Sequence, residues 1–354
     1  MNIQGIQNKL LNWYRANAKS FPWREDPTPY HVWISEIMLQ QTRIEAALPY
    51  YQRFIATLPD IQALANVPQD ELLKLWEGLG YYSRAKNLQK AALVIMESFD
   101  GQLPADYDQL LSLPGIGAYT AGAIASIAYH IPVPAVDGNV MRVLARLTND
   151  NTDVLSNAGK KHFTQLASEL IDREDPGAFN QALMELGENI CLPNTTPHCS
   201  RCPLQGDCAA SAYGTTAALP IRIKKTQRRV EDRQVVVLTC HADTPHVLIH
   251  YREDKGLLGG MWEFPNTTNI QPLSCVPNDL SDKCNLVESL SPSKHLFSHI
   301  EWRMTGHHYT TDSLIALPDA YHWATLHELE QQYPIPGAFA TYKKLLYQLL
   351  SEEN

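Results

Sequence analysis

The chain has 354 residues, enough for two or three domains, and 44% of them are hydrophobic, which supports well-buried cores. A formal net charge of −9 excludes an indiscriminate polyanion binder, so any nucleic-acid contact must rest on local positive charge. No apolar run approaches the ~18 residues of a membrane span, and nothing at the start resembles a secretory leader. A protein of a reducing compartment, a bacterial cytoplasm, is therefore expected. Residues 1–220 read as almost entirely helical, with Pro and Gly at the joints. The pattern predicts helices near 4–18, 30–56, 69–77, 84–98, 107–112, 118–130, 138–148, 157–171 and 178–189. Residues 221–233 read as a basic interdomain linker. Its Arg222, Lys224, Lys225, Arg228, Arg229 and Arg233 serve equally as a cation patch or as a solvated connection. Beyond it the texture changes to strand-like runs at 234–239, 247–251, 295–304 and 307–311, then helices near 323–331 and 339–350. The expectation is a multi-domain chain, an all-α domain over 1–220 followed by an α+β domain over 234–354, without internal repeats.

Within the helical half, Glu36 has apolar neighbours on several helical faces in Val32-Trp33-Ile34-Ser35-Glu36-Ile37-Met38. A helical Glu is ordinarily a solvated surface group. Held among Ile, Met and Trp it keeps its proton near neutrality, which a general acid requires. Leu113-Pro114-Gly115-Ile116-Gly117 is a turn ahead of a helix rich in small residues, Thr120 to Ala128. Its backbone N–H groups can face an anion, naturally a DNA phosphate, although ordinary turns use glycine the same way. Twenty residues later comes Val136-Asp137-Gly138-Asn139-Val140.

Of seven cysteines, four fall in one run, Cys191, Cys199, Cys202 and Cys208, spaced C-x7-C-x2-C-x5-C. In a reducing compartment four clustered thiols read as a metal site, not as disulfides. Zinc sites usually pair two C-x2-C knuckles, whereas one such knuckle in a single run suits a [4Fe–4S] cubane, so the spacing favours the cluster and keeps zinc as the alternative. Cys240, Cys275 and Cys284 are scattered and read as structural.

The Pro-Gly-x-Gly turn, the Asp137 motif and the cysteine run together resemble the helix-hairpin-helix DNA glycosylases of the endonuclease III superfamily, and the segment around Glu36 resembles the MutY-type adenine glycosylases within it. The resemblance implies that Glu36 protonates a departing adenine and that Asp137, with Asn139 in the same motif, serves the sugar side. It implies a [4Fe–4S] cluster on a C-x6-C-x2-C-x5-C pattern, one residue shorter in the first gap than here. Endonuclease III-type lyases carry a Lys two residues after the second hairpin Gly. Tyr119 stands there in this chain, which implies hydrolysis without strand nicking. Gly115 and Gly117 become DNA-backbone contacts, Gln41, Leu79 and Tyr81 become wedge elements that fill the gap left by a flipped base, and Arg24 and Gln181 become walls of the adenine pocket.

Gly259-Gly260-Met261-Trp262-Glu263-Phe264-Pro265 resembles the opening of a Nudix domain, while the Arg-Glu-x-x-Glu-Glu box that binds Mg²⁺ is missing. Recognition rather than diphosphate hydrolysis is implied, with Ser298 of Phe297-Ser298-His299 reading 8-oxoguanine. The implied partner is duplex DNA with adenine opposite 8-oxoguanine or guanine, bound by a monomer. Two alternatives stand: a pyrimidine-damage glycosylase with lyase activity, and a non-catalytic binder of damaged DNA.

Overall fold

The computed structural model describes residues 2–223, 228–242, 244–253, 255–312 and 314–351. Lys224 and Lys225 of the expected basic linker lie outside the described residues. The chain packs as two compact units, one formed by Met1–Asn66 with Asn87–Lys225, the other by Val67–Lys86 with Thr226–Asn354. The second unit thus takes in twenty residues that the sequence reading put in the helical domain.

The first unit is helical. Ile6, Leu10, Leu11 and Tyr14 recur along one face of the helix Ile3–Asn17, which Asn2 caps by accepting from Gly5 N. That face packs with Val140, Val143 and Leu144 of the helix Gly138–Leu147, Phe163 of Asn157–Leu170, and Phe179, Leu183 and Leu186 of Pro176–Asn189. The helix expected over 30–56 is two helices, Pro29–Leu39 and Ile44–Thr57. They part where Gln41 takes a left-handed φ of 59° and Gln40 Nε2 donates to Thr120 Oγ1 at 3.3 Å. The break leaves Gln41 exposed.

Among the described residues the second unit carries a seven-stranded mixed sheet of β1 (Arg229–His241), β2 (Pro245–Tyr251), β3 (Trp262–Glu263), β4 (Asn266–Thr267), β5 (Asn285–Leu296), β6 (Ile300–Thr311) and β7 (Tyr321–Thr325). The main order is β3-β2-β1-β6-β5, with β4 on β1 and β7 on β2. Strands β1 and β6 run parallel from Arg229 opposite Ile300 to Cys240 opposite Thr311, and the other pairings are antiparallel. Val235 and Val237 enter one core with Trp302, Met304 and Phe339, while Val236 and Leu238 enter another with Leu248 and Tyr309. Burial on both faces explains why β1 reads as a continuous apolar run.

Several expected boundaries change. β1 begins at Arg229, inside the expected linker, because it pairs with β6 from its first residue. The runs 295–304 and 307–311 resolve into the end of β5, a turn at Phe297–His299 and one unbroken β6. Gly306 does not interrupt β6. A Cβ there would come within 2.3 Å of Tyr342 Cε1, so the glycine admits a ring packed on the strand. Trp323 lies in β7, and the helix after it is Leu326–Gln331, opened by a capping box of Thr325 and Glu328.

Candidate active site

A cavity of about 420 Å³ opens in the first unit where the helices Pro22–Glu25, Pro29–Leu39, Ala118–Tyr129, Gly138–Leu147 and Pro176–Asn189 meet. Glu36, Asp137, Tyr119, Asn139, Arg24, Gln41 and Gln181 all line it. Residues separated by up to 157 positions are thus brought to one hollow, of a size that holds a small planar ligand.

Glu36 lines the cavity together with Val32, Ser35 and Leu39 of its helix, while Trp33, Ile34, Ile37 and Met38 of the same helix are buried. Tyr119 O–H donates to Glu36 Oε2 at 2.6 Å and also approaches Met184 Sδ at 3.4 Å. Desolvation pushes the Glu36 carboxyl up to about 7; the Tyr119 bond and the Arg24 charge work against that rise, and the Asp137 charge adds to it. Burial and the facing carboxylates hold the Tyr119 phenol well above its ordinary range, so it remains a donor.

Asp137 is the N-cap of the helix Gly138–Leu147. Its Oδ1 accepts from Asn139 N at 2.9 Å and Val140 N at 2.8 Å, and its Oδ2 accepts from Asn139 Nδ2 at 2.8 Å. The cap fixes the carboxylate at the positive end of a helix, where negative charge is favoured. Burial raises the Asp137 pKa, and these donors and Arg142 oppose the rise. Two carboxyls therefore share one cavity, Glu36 held by the Tyr119 phenol and Asp137 by three N–H donors. Glu36 holds its proton up to about pH 7, while the donors around Asp137 favour its charged form against burial.

Arg24 pairs with Glu185, and its guanidinium carbon sits 5.1 Å from the Phe21 ring centre and 5.7 Å from that of Tyr14. Glu185, Glu188, Met184 and Arg43 also line the cavity and were not singled out from the sequence. Arg142 was missed too. Its Nη2 donates to Asn139 Oδ1 at 2.7 Å and to Gly187 O at 2.8 Å, and its Nε donates to Cys191 O at 2.8 Å. Arg146, one turn on, donates from Nη1 to Cys191 Sγ at 3.2 Å and Leu192 O at 3.0 Å. Two buried arginines at i and i+4 after Asp137 were the available signal.

Cys191, Cys199, Cys202 and Cys208 border one small apolar cavity beside Arg146 and Ile190. Among the described residues no three His, Cys, Asp or Glu side chains converge on a single ion. The extra residue of the first gap is taken up between Cys191 and Cys199, where Asn194 adopts φ 54° and His198 N closes the loop on Ile190 O at 2.9 Å.

The remaining candidates lie elsewhere. Gly115 has φ 75°, and a Cβ on it would meet Asn87 Cβ at 2.6 Å, so the turn and the close approach both demand glycine. Gly117 is exposed, precedes the helix Ala118–Tyr129 without a side-chain cap, and a Cβ there would meet none of the described atoms within 4 Å. Leu79 and Tyr81 belong to the second unit, Leu79 buried and Tyr81 47% exposed with φ 50°. Ser298 is exposed in the turn between β5 and β6, anchored by Arg228 Nε donating to Phe297 O at 2.9 Å and Arg229 N to His299 O at 3.0 Å.

Comparison with known proteins agrees with this architecture. Residues 34–172 match the HhH-GPD superfamily of base excision DNA repair proteins, and residues 235–345 match a NUDIX domain. An adenine DNA glycosylase from Mus musculus is 34% identical, over 92% of this chain and 75% of the mouse protein. One from Buchnera aphidicola is 33% identical over 82% of both chains. Among solved structures, a thermostable thymine-DNA glycosylase is similar with a TM-score of 0.55 at 26% identity, over 60% of this chain and 97% of that one.

Proposed function

Because the chain belongs to the adenine DNA glycosylases of the helix-hairpin-helix base-excision repair superfamily, we propose that it hydrolyses the bond between adenine and deoxyribose when adenine lies opposite 8-oxoguanine or guanine in duplex DNA. The observation that carries this reading is the pairing of Glu36, bonded to Tyr119, with the capped Asp137 across one cavity. The flipped adenine occupies the cavity, since its glycosidic bond is out of reach inside the stack. Glu36 gives its proton to N7, so the base departs neutral. Asp137 faces the sugar as it turns oxocarbenium-like, stabilising the charge or trapping C1′, and water completes hydrolysis.

Tyr119 holds the Glu36 carboxyl in place and offers no amine to C1′, so no Schiff base forms and the strand stays intact until alkali is added. Arg24 and Gln181 wall the adenine pocket. Gln41 and Tyr81, both carried on left-handed backbone, enter the stack with Leu79 behind Tyr81. Gly115 and Gly117 bring backbone N–H groups at a helix start toward a DNA phosphate. Ser298 reads the opposite 8-oxoguanine, whose N7–H and O8 a hydroxyl can meet as acceptor and donor.

Four cysteines in one run with a single C-x2-C knuckle, all bordering one cavity, suit a cubane, in which each thiolate binds its own iron. Cys191, Cys199, Cys202 and Cys208 would hold it, supplying a structural staple for the loop that Arg142 and Arg146 tie to the Asp137 helix.

The test is single-turnover incubation with a duplex containing adenine opposite 8-oxoguanine, followed by alkali. Cleavage only after alkali is expected, and Glu36→Gln keeps duplex affinity while losing adenine release. Absence of alkali-dependent product rejects the activity. Cleavage without alkali, trapped by borohydride, points to a lyase.

A further inference from the structure

Residues Val67–Lys86 sit between two stretches of the helical unit in sequence, yet they pack within the second unit. This segment is the helix Gln69–Leu75, a turn that carries Leu79, Gly80 and Tyr81, and the start of the helix Ser83–Ser98. The turn is braced internally. Trp76 Nε1 donates to Gly80 O at 3.1 Å, and Arg84 Nη2 donates to Leu79 O and Gly80 O, each at 3.1 Å. The Arg84 guanidinium also stands 5.5 Å from the centre of the Tyr81 ring. Tyr81 is therefore presented outward from a stiff frame in a left-handed conformation that few non-glycine residues adopt.

That frame is fastened to the sheet-bearing fold by charge. Glu77, one residue before the turn's first glycine, receives Lys343 Nζ at 2.6 Å on Oε1 and Lys74 Nζ at 2.7 Å on Oε2. Lys74 Nζ also donates to Leu329 O at 2.7 Å, and Lys86 Nζ donates to Gly259 O at 2.8 Å. All three ionic side chains are about four-fifths buried, which limits screening by solvent. Lys343 lies on the helix Ala340–Ser351. Tyr342 of that helix packs against Gly306 of β6, and Phe339 just before it contacts Trp302, whose ring meets Phe297 at 4.9 Å between centres. A continuous packed path thus runs from the Phe297–His299 turn to the Tyr81 turn inside one unit.

We propose that Glu77 is a positioning residue that, through Lys343 and Lys74, locks the intercalating Tyr81 turn to the fold that reads the base opposite adenine. The inference rests on the activity proposed above and adds to it a specificity device: the identity of the opposite base biases how Tyr81 enters the stack. The test measures this coupling directly.

Single-turnover adenine release is measured with the full chain on duplexes bearing adenine opposite 8-oxoguanine and opposite guanine. The variants are Glu77→Gln, Lys343→Met (which keeps the apolar stem), their double, Tyr81→Ala, and Tyr81→Ala with Glu77→Gln. Each single clamp variant is expected to lower the 8-oxoguanine-to-guanine rate ratio by about fivefold or more, the low end of ordinary coupling between sites. The clamp double falls no further than either single, and Glu77→Gln changes nothing further once Tyr81 is Ala. A merely structural role would lower both rates together and leave the ratio alone. An unchanged ratio, additive singles, or an undiminished Glu77→Gln effect in the Tyr81→Ala background overturns the inference while the activity stands. Release from neither duplex by the parent chain overturns the activity, and the inference with it.

Discussion

A carboxyl with a pKa of about 7 is half ionised near neutrality, and Glu36, the proposed proton donor, is such a group. Adenine release should therefore fall as pH rises through about 7, because the ionised form has no proton to give. Of the groups facing Glu36, the Tyr119 hydroxyl and Arg24 favour the carboxylate and Asp137 disfavours it. Tyr119→Phe removes a donor to the charged form, so the alkaline limb of the rate profile should move to higher pH, even if misplacement of the carboxyl lowers the plateau. A limb that stays put or moves down would mean that another group controls it. The same shift has a stability counterpart. A carboxyl whose pKa is raised by folding, from 4.5 to about 7, contributes stability below pH 4.5 that is lost as pH climbs through 7, since the folded state then binds a proton that the unfolded chain has released. Glu36→Gln should thus be more stable than the parent at pH 8 by on the order of 2–3 kcal/mol, with the gain vanishing near pH 4. Denaturant melts at the two pH values check this.

At the scale of elements, the helix Gly138–Leu147 links chemistry to the cysteine loop. Asp137 caps its start, Arg142 holds Asn139 against Asp137, and the same guanidinium reaches Gly187 O and Cys191 O. Arg142 reaches these acceptors from two nitrogens, Nε and Nη2, whereas a lysine's three donors all radiate from one nitrogen. Arg142→Lys should leave buried acceptors unpaired, cost roughly 3 kcal/mol in thermal or chemical melts, and slow adenine release because Asn139 loses its brace. Wild-type stability with wild-type rates would contradict that account. The placement of these side chains was legible in the sequence where it rests on local rules. An Asp before Gly-Asn-Val reads as a helix start, four thiols in one run read as a ligand set, and an acid among apolar neighbours reads as a buried acid. The split at Gln41 was not legible, because apolar periodicity continues across it and neither Gly nor Pro marks it. β5 was also missed. It is an edge strand with Leu290 as its one buried side chain and two register shifts against β6, so no period of two survives in its sequence. Arg142 and Arg146 were passed over because charged residues on a helix normally face solvent, and only tertiary packing turns these inward.

For the whole molecule, the boundary that matters runs through space rather than along the chain. Every residue lining the 420 Å³ cavity belongs to the first unit, whereas the Tyr81 turn belongs to the second. Cutting the chain after residue 225 would preserve the cavity walls but strip from Val67–Lys86 the partners Leu329, Lys343 and Gly259. Protection from amide exchange reports the free energy of local opening, and a segment that loses its packing partners opens more readily than the helices beside it. In the 1–225 piece, amides of residues 69–86 should therefore exchange at least about tenfold faster than in the full chain, a difference of ~1.4 kcal/mol in local stability, while those of the helix Gly138–Leu147 keep their protection. Hydrogen-exchange mass spectrometry on the two proteins under identical conditions decides the matter. Equal protection of 69–86 in both would show that this segment does not depend on Leu329, Lys343 and Gly259, and its anchorage within the second unit would have to be abandoned.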